Sequence, residues 1–103
     1  VTGFGLVGHL AEMCRASDVH VALDLDAVPL LPGAAECVAM GIFSSLHKSN
    51  ARLRRGVANG AEAAGHRAWP LVYDPQTSGG LLASVPAERA EACVAALRRE
   101  GLG

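Results

Sequence analysis

Hydrophobic positions change their spacing along this chain, and the changes predict both helices and strands. Leu6, Leu10 and Met13 recur at helical spacing, which predicts a helix from about Gly5 to Ala16. From Val19 to Asp26 the apolar residues occupy alternate positions, the period of a strand with one buried face. The first quarter of the chain therefore predicts a helix followed by a strand.

Local capping signals delimit further helices. Leu31–Met40 has helical character, and Gly41 follows it at the usual position of a C-terminal cap. A third helix is predicted from Ala51 to about Ala64, with Asn50 as its N-terminal cap. Thr2 precedes the first helix and is placed to help cap it.

Two short apolar segments and a final helix complete the pattern. Ala68–Tyr73 and Leu81–Val85 are predicted to be strands, and Ala87–Glu100 is an amphipathic helix. The predicted inward face of this helix consists of Ala90, Cys93, Val94 and Leu97. The order α-β-α-α-β-β-α lacks strict βαβ alternation, so we predict a layered α+β domain with a mixed sheet packed by helices.

The composition narrows the class of protein. Half of the 103 residues are hydrophobic and 18% are charged, which is typical of one globular domain. A net charge of −1 argues against a nucleic-acid-binding protein, and no apolar run is long enough to predict a membrane span. Cys14, Cys37 and Cys93 lack the spacing of a zinc site, so we expect free thiols and a cytoplasmic location.

A polar loop separates the last two predicted strands. It contains a carboxylate, an amide, hydroxyl groups and paired glycines, in the order Asp74, Gln76, Thr77, Ser78, Gly79 and Gly80. A simple hairpin needs only two to five loop residues, so this loop is long for that purpose. Its backbone N–H groups and side-chain donors could approach an anion, although a long surface turn with tightly packed glycines explains the same residues.

The segment before the first helix is a second candidate for anion binding. Thr2, Gly3 and Gly5 directly precede or begin that helix, and phosphate sites combine glycine with a helix N-terminus. Glycines also precede helices for steric reasons, so this pattern leaves both explanations open. His9 and Glu12 share one helix face without a third ligand; we assign no metal ligand and no catalytic residue.

Three segments together resemble one enzyme family. VTGFGLVGHL at residues 1–10, Gly41–Ser45 followed by Asn50, and DPQTSGGLL at residues 74–82 resemble the selenophosphate synthetase (selenide, water dikinase) family. That family belongs to the aminoimidazole ribonucleotide synthetase superfamily. The resemblance covers residues 1–103 and implies a single domain, equivalent to the C-terminal domain of a longer ATP-dependent enzyme and lacking a terminal strand.

The resemblance also implies an activity and a site. Members make selenophosphate from selenide, ATP and water, release AMP and phosphate, and use Mg²⁺. The implied nucleotide and phosphate contacts are Thr2, Gly3 and Gly5, and the implied cleft residues are Asn50, Asp74, Gln76, Thr77, Ser78, Gly79 and Gly80. We expect a homo-oligomer that acts on small molecules, with no nucleic-acid or membrane partner.

Other residues of the family's site fall outside this sequence. An aspartate that helps to bind magnesium directly precedes the motif in the family, and the reactive Cys or selenocysteine and a nearby Lys belong to the N-terminal part. We therefore expect the isolated chain to be inactive. Two alternatives stay open: another ATP-using enzyme of the superfamily, and a binding or interaction module that keeps the fold without the reaction.

Overall fold

The computed structural model describes residues 1–102 as short helices joined by irregular segments. Five α-helices follow one another along the chain: α1 Gly5–Ser17, α2 Ala34–Ala39, α3 His47–Asn50, α4 Gly60–Ala63 and α5 Ala87–Arg99. Two 3₁₀ helices, Ala51–Gly56 and Leu71–Tyr73, lie between them. The predictions for the first and last helices are confirmed to within one residue at each end.

Gly41 ends α2 as the sequence predicted. Gly41 has a φ of 76° and donates its N–H to Val38 O at 2.9 Å. Ile42 donates to Cys37 O at 2.9 Å, which completes the hydrogen-bonding pattern of a glycine-terminated helix. The predicted cap is confirmed, whereas the helix itself begins at Ala34, three residues later than predicted.

The prediction of an α+β domain with a mixed sheet is wrong, because residues 1–102 contain no strand. The Val19–Asp26 segment is irregular, and Val19 and Val21 are 53% and 55% exposed. Alternation identifies the face that a strand would bury, but a strand also needs a neighbouring backbone for its hydrogen bonds. Within residues 1–102, no other backbone pairs with this segment as a strand.

The two predicted strands around the polar loop also differ from expectation. Pro70 has φ −67° and ψ −29°, which begins the 3₁₀ helix Leu71–Tyr73. Leu71 and Val72 donate their N–H groups to Ala68 O at 3.0 and 3.1 Å, so these groups cannot join a sheet. After the loop, residues 81–85 are irregular and Leu81 is fully exposed.

The predicted Ala51–Ala64 helix is interrupted. Its first part is a 3₁₀ helix, Val57 is extended (φ −100°, ψ 117°), and only α4 follows. Neither Asn50 nor Thr2 caps a helix with its side chain, so both capping predictions are wrong. Glycines at both sides of the break disfavour a continuous helix because of their backbone entropy.

A small core lies where α1 meets the Leu71–Tyr73 turn. Ala68, Val72 and Tyr73 are its buried apolar residues, each at most 2% exposed. The Trp69 ring contacts Tyr73 edge-on, with ring centroids 5.2 Å apart. By contrast, Val94 and Leu97 of α5 are 44% and 46% exposed, so the predicted inward face of α5 is not buried.

Candidate functional site

The first residues of the chain lie against the polar loop of residues 74–80. Gln76 donates its N–H to Thr2 O at 3.0 Å, and Gly79 donates its N–H to Val1 O at 3.0 Å. We call these two stretches, residues 1–3 and 74–80, the paired segments. The structure thus brings together the two sets of residues that the sequence suggested for anion binding.

Gly79 fits this contact because it has no side chain. A Cβ atom there would lie 2.7 Å from Val1 O and would collide with the Gln76 side-chain oxygen. Real Cβ atoms do not approach other atoms so closely, so a larger residue would push the paired segments apart. Gly80, the next residue, has no atom within 4 Å of an added Cβ.

Gly5 has a separate packing role. Its φ is 71°, and an added Cβ would lie 2.9 Å from the Tyr73 carbonyl carbon and 3.0 Å from Asp74 O. The start of α1 therefore rests directly on the backbone that leads into the polar loop. This contact, together with the positive φ, requires glycine for internal packing.

Asn50 links the two sides of the site from within. It is 7% exposed, and its side-chain amide donates to Gly3 O at 2.8 Å and to Tyr73 O at 3.1 Å. Both amide protons are therefore used inside the protein and are not left for a ligand. Sequence reasoning placed Asn50 in this cleft but did not foresee that it joins the N-terminal segment to the 3₁₀ turn.

A hydrogen-bonded chain of side chains lies beside the N-terminal segment. The Thr2 N–H and Thr2 Oγ1 are 3.2 and 3.0 Å from His9 Nε2. His9 Nδ1 is 2.9 Å from Glu12 Oε2. The helical spacing of His9 and Glu12 indicated their proximity, but no pattern in the sequence indicated that the segment before α1 folds back onto His9.

The paired segments leave several backbone donors available. The N–H groups of Gly3, Phe4, Thr77 and Ser78 donate to no other group in residues 1–102. The Asp74 carboxylate likewise forms no hydrogen bond with any group in this range. The Asp74 side chain therefore does not brace the loop through a hydrogen bond within residues 1–102.

The comparison with known proteins now identifies the family. A family model described as AIR synthase related protein, C-terminal domain, matches residues 1–103. The chain belongs to this family. The match covers the whole chain, including both paired segments.

Several relatives of the domain share one name. Proteins named "Selenide, water dikinase" from Clostridioides difficile and Geobacter metallireducens are 39% and 40% identical over 104 and 102 residues, covering 98% and 99% of this chain. One from Escherichia coli O139:H28 is 41% identical over 96 residues and covers 85% of this chain and 24% of its own length. The predicted resemblance to selenophosphate synthetase is confirmed. The chain spans 29% of the length of the first two relatives.

Two cavities of the domain lie away from the paired segments. One of about 210 Å³ is bordered by α1 and the first 3₁₀ helix, including Arg15, Arg52 and Arg55. Another of about 400 Å³ lies beside Trp69. None of the predicted site residues lines either cavity, so the paired segments form an open surface of the domain rather than a wall of these cavities.

Tyr73 places an unusual polar group in the core. Its hydroxyl is buried and has no hydrogen-bond partner within residues 1–102. Burial raises the pKa of Tyr73 above its ordinary value, and the positive charge of Arg54 partly opposes this effect. The neutral phenol is therefore the form that the domain stabilises.

Residues 1–102 contain neither a metal-binding cluster nor a membrane-spanning helix. No group of three or more His, Cys, Asp or Glu side chains is arranged to hold a metal ion there. No helix in this range has the length and apolar character needed to cross a bilayer.

Proposed function

We propose that the domain forms part of the ATP-binding surface of a protein that makes selenophosphate from selenide, ATP and water, with AMP and phosphate released. The relatives named "Selenide, water dikinase" support this reaction. The observation that carries the assignment of the surface is the outward arrangement of the Gly3 and Phe4 N–H groups.

Internal hydrogen bonds fix the direction of these N–H groups. No peptide bond in the described chain is cis, and in a planar trans peptide the C=O and N–H point in opposite directions. Thr2 O accepts from Gly5 and Gln76, so the Gly3 N–H of the same peptide points away from both partners. Gly3 O accepts from buried Asn50, so the Phe4 N–H points away from the interior.

Two adjacent outward N–H groups immediately before α1 suit a phosphate group. Backbone donors at the start of a helix favour anions through hydrogen bonds and the helix dipole. In this proposal Gly3 and Phe4 donate to the nucleotide phosphates, while Thr77 and Ser78 shape the adjacent substrate side. Gly5, Asn50 and Gly79 hold the two segments in place.

In this proposal, no Mg²⁺ site is assigned to residues 1–102. Residues 1–102 provide no cluster of carboxylates, so they do not fit a Mg²⁺ site, and we assign no step of the reaction to a metal held by them. We propose that Mg²⁺ is bound by residues outside this chain, in a cytoplasmic homo-oligomer. Cys14, Cys37 and Cys93 are free thiols in the structure, in keeping with a reducing compartment.

Selenide-dependent release of AMP from ATP tests the reaction. We expect turnover by the complete natural polypeptide that contains this chain, and none by residues 1–103 alone. ATP consumption that does not respond to selenide would favour a different ATP-using enzyme of the superfamily. Absence of ATP binding and turnover by the complete polypeptide would favour a non-catalytic module.

A pair of substitutions tests the proposed phosphate contact. Gly3→Pro removes the Gly3 N–H, whereas Gly3→Ala retains it and meets no atom within 4 Å. We expect Gly3→Pro to raise the KM for ATP about tenfold, the usual scale for one charge-assisted hydrogen bond, and Gly3→Ala to change it less than about twofold. Equal KM values for two folded variants would contradict the assignment.

A further inference from the structure

The hydrogen bonds around His9 determine where its proton lies. The Thr2 N–H can only donate, so His9 Nε2 must accept and carry no proton. The ring proton is therefore on Nδ1, where it donates to the Glu12 carboxylate at 2.9 Å. The opposite neutral tautomer would direct an N–H at the Thr2 N–H and a lone pair at the carboxylate.

The same arrangement determines what Thr2 can offer to a ligand. With His9 Nε2 unprotonated, the Thr2 hydroxyl at 3.0 Å donates its hydrogen to this atom. His9 Nε2 thus accepts both donors of Thr2 in a three-centre hydrogen bond. The hydroxyl oxygen retains only acceptor capacity, so Thr2 has no donor left for a phosphate.

Thr2 in turn fixes the direction of the next peptide. Its carbonyl oxygen accepts from Gly5 and Gln76, and the Gly3 N–H is opposite that oxygen. His9 therefore binds the N–H and hydroxyl groups of Thr2, and the polar loop binds its carbonyl oxygen. His9 is itself packed against the Phe4 ring, with ring centroids 5.6 Å apart.

We propose that His9, held by Glu12 in the Nδ1–H tautomer, is a positioning residue that immobilises Thr2 so that the next N–H groups face the polyphosphate of the nucleotide. The identity of the ligand in this inference rests on the proposed function, whereas the geometry around His9 does not depend on it. His9 contacts no phosphate and acts through Thr2. Thr2 contributes to the phosphate-facing surface through the position of its backbone, and it donates no hydrogen bond to the phosphate.

Two substitutions separate the two bonds of His9. The amide oxygen of His9→Gln can replace Nε2 as the acceptor for Thr2. The amide nitrogen of His9→Asn can replace Nδ1 as the donor to Glu12 but leaves Thr2 without its acceptor. His20→Asn is the matched control, because His20 is exposed and forms no side-chain hydrogen bond within residues 1–102.

Nuclear magnetic resonance of the chain tests the geometry without any ligand. Long-range ¹⁵N–¹H correlations should show His9 as the Nδ1–H tautomer, and exchange of the Thr2 amide proton should be slowed. His9→Asn should remove this protection, whereas His9→Gln should retain most of it. The Nε2–H tautomer, or unchanged protection in His9→Asn, would overturn the inference.

Steady-state kinetics of the complete natural polypeptide test the role in binding. We expect His9→Asn to raise the KM for ATP about fivefold to tenfold with kcat within about twofold, because an interaction that orders the binding surface is lost. His9→Gln and His20→Asn should stay within about twofold of the wild type. A wild-type KM in folded His9→Asn would overturn the positioning role, whereas an inactive wild type with the expected His9 tautomer and Thr2 protection would reject only the proposed reaction.

Discussion

Asn50 and Gly79 hold the paired segments together by opposite means. Asn50 supplies two hydrogen bonds from a buried amide, to Gly3 O and Tyr73 O. Gly79 supplies only the absence of a side chain, which lets Val1 O approach. The chain also contains another glycine and another asparagine that lack such contacts. Substitutions at those positions provide matched controls.

Replacement of Gly79 by alanine should destabilise the domain. The added Cβ would lie 2.7 Å from Val1 O, and overpacking of this kind costs about 1–3 kcal/mol. Gly80→Ala meets no atom within 4 Å and should change the free energy of unfolding by less than about 0.5 kcal/mol. Urea denaturation of both variants measures the difference, and equal midpoints would contradict the close contact.

Replacement of Asn50 by alanine should cost more. Two carbonyl oxygens, those of Gly3 and Tyr73, would lose their partner, for a loss of about 2–4 kcal/mol in the free energy of unfolding. Asn59→Ala is the control, because Asn59 is exposed and has no capping hydrogen bond from its side chain. If both variants unfold at the same urea concentration, Asn50 does not act as this link.

Tyr73 should make stability fall at high pH. Its pKa is raised by burial, so between the ordinary value of about 10 and the raised value the folded state retains a proton that the unfolded state has lost. This contribution is complete below about pH 10 and disappears as pH rises through the folded-state pKa. Absorbance titration of this single tyrosine measures the shift directly.

Tyr73→Phe provides the comparison. It removes a buried hydroxyl without a partner while keeping the ring contact with Trp69, so stability at pH 7 should be equal or higher. In this variant, the free energy of unfolding should also fall less steeply above about pH 10, because the Tyr73 hydroxyl no longer titrates. A large loss of stability at pH 7 would show that the hydroxyl has a partner after all.

Among the secondary structure elements, the 3₁₀ turn Leu71–Tyr73 is more important than its length suggests. It supplies two of the buried apolar side chains, packs on α1 and leads directly into the polar loop. In contrast, α5 has 13 residues against 3 in this turn but keeps its apolar residues partly in solvent. Burial, rather than helix length, decides which element stabilises the fold.

A pair of valines tests this contrast. Val72 is 2% exposed and Val94 is 44% exposed. Val72→Ala should lower the free energy of unfolding by about 2 kcal/mol, whereas Val94→Ala should be close to neutral because alanine favours the helix and little burial is lost. Thermal unfolding of the two variants measures the difference, and similar losses would show that α5 is packed more tightly than the structure indicates.

Over the whole chain, apolar surface is poorly covered. The radius of gyration is 14.3 Å, compared with about 13 Å for a compact domain of this size. Large apolar residues with more than half of their surface exposed include Phe4, Val19, Val21, Leu31, Met40, Ile42, Leu46, Leu81 and Leu102. Exposure on this scale favours association with other apolar surfaces.

We therefore expect the 103-residue chain to self-associate in solution. Its sedimentation coefficient should rise with protein concentration, because contact between copies removes apolar surface from water. Leu81→Lys should weaken association more than Ala83→Lys, since both positions are exposed but only Leu81 presents a large apolar side chain. A concentration-independent monomer would contradict this prediction.

Several parts of this domain depend on residues that are close together in the chain, and these parts could be predicted. The helical spacing of Leu6, Leu10 and Met13 located α1, and Gly41 ended α2 because its positive φ suits glycine. The motifs VTGFGLVGHL and DPQTSGGLL also predicted the family, by their resemblance to its members. These features depend on neighbours in the chain or on a recognisable pattern, so sequence reasoning was sufficient for them.

Contacts between distant residues could not be predicted in the same way. Alternation in Val19–Asp26 could not show that residues 1–102 contain no second strand to pair with it. A capping pattern could not show that Asn50 binds Gly3 and Tyr73 instead. Hydrogen bonds do not require neighbours in the chain, so their partners depend on how the backbone closes in space. The amino-acid order thus predicted the family, the first and last helices and a set of candidate site residues, while the packing of α1 on the 3₁₀ turn decided how those residues are arranged.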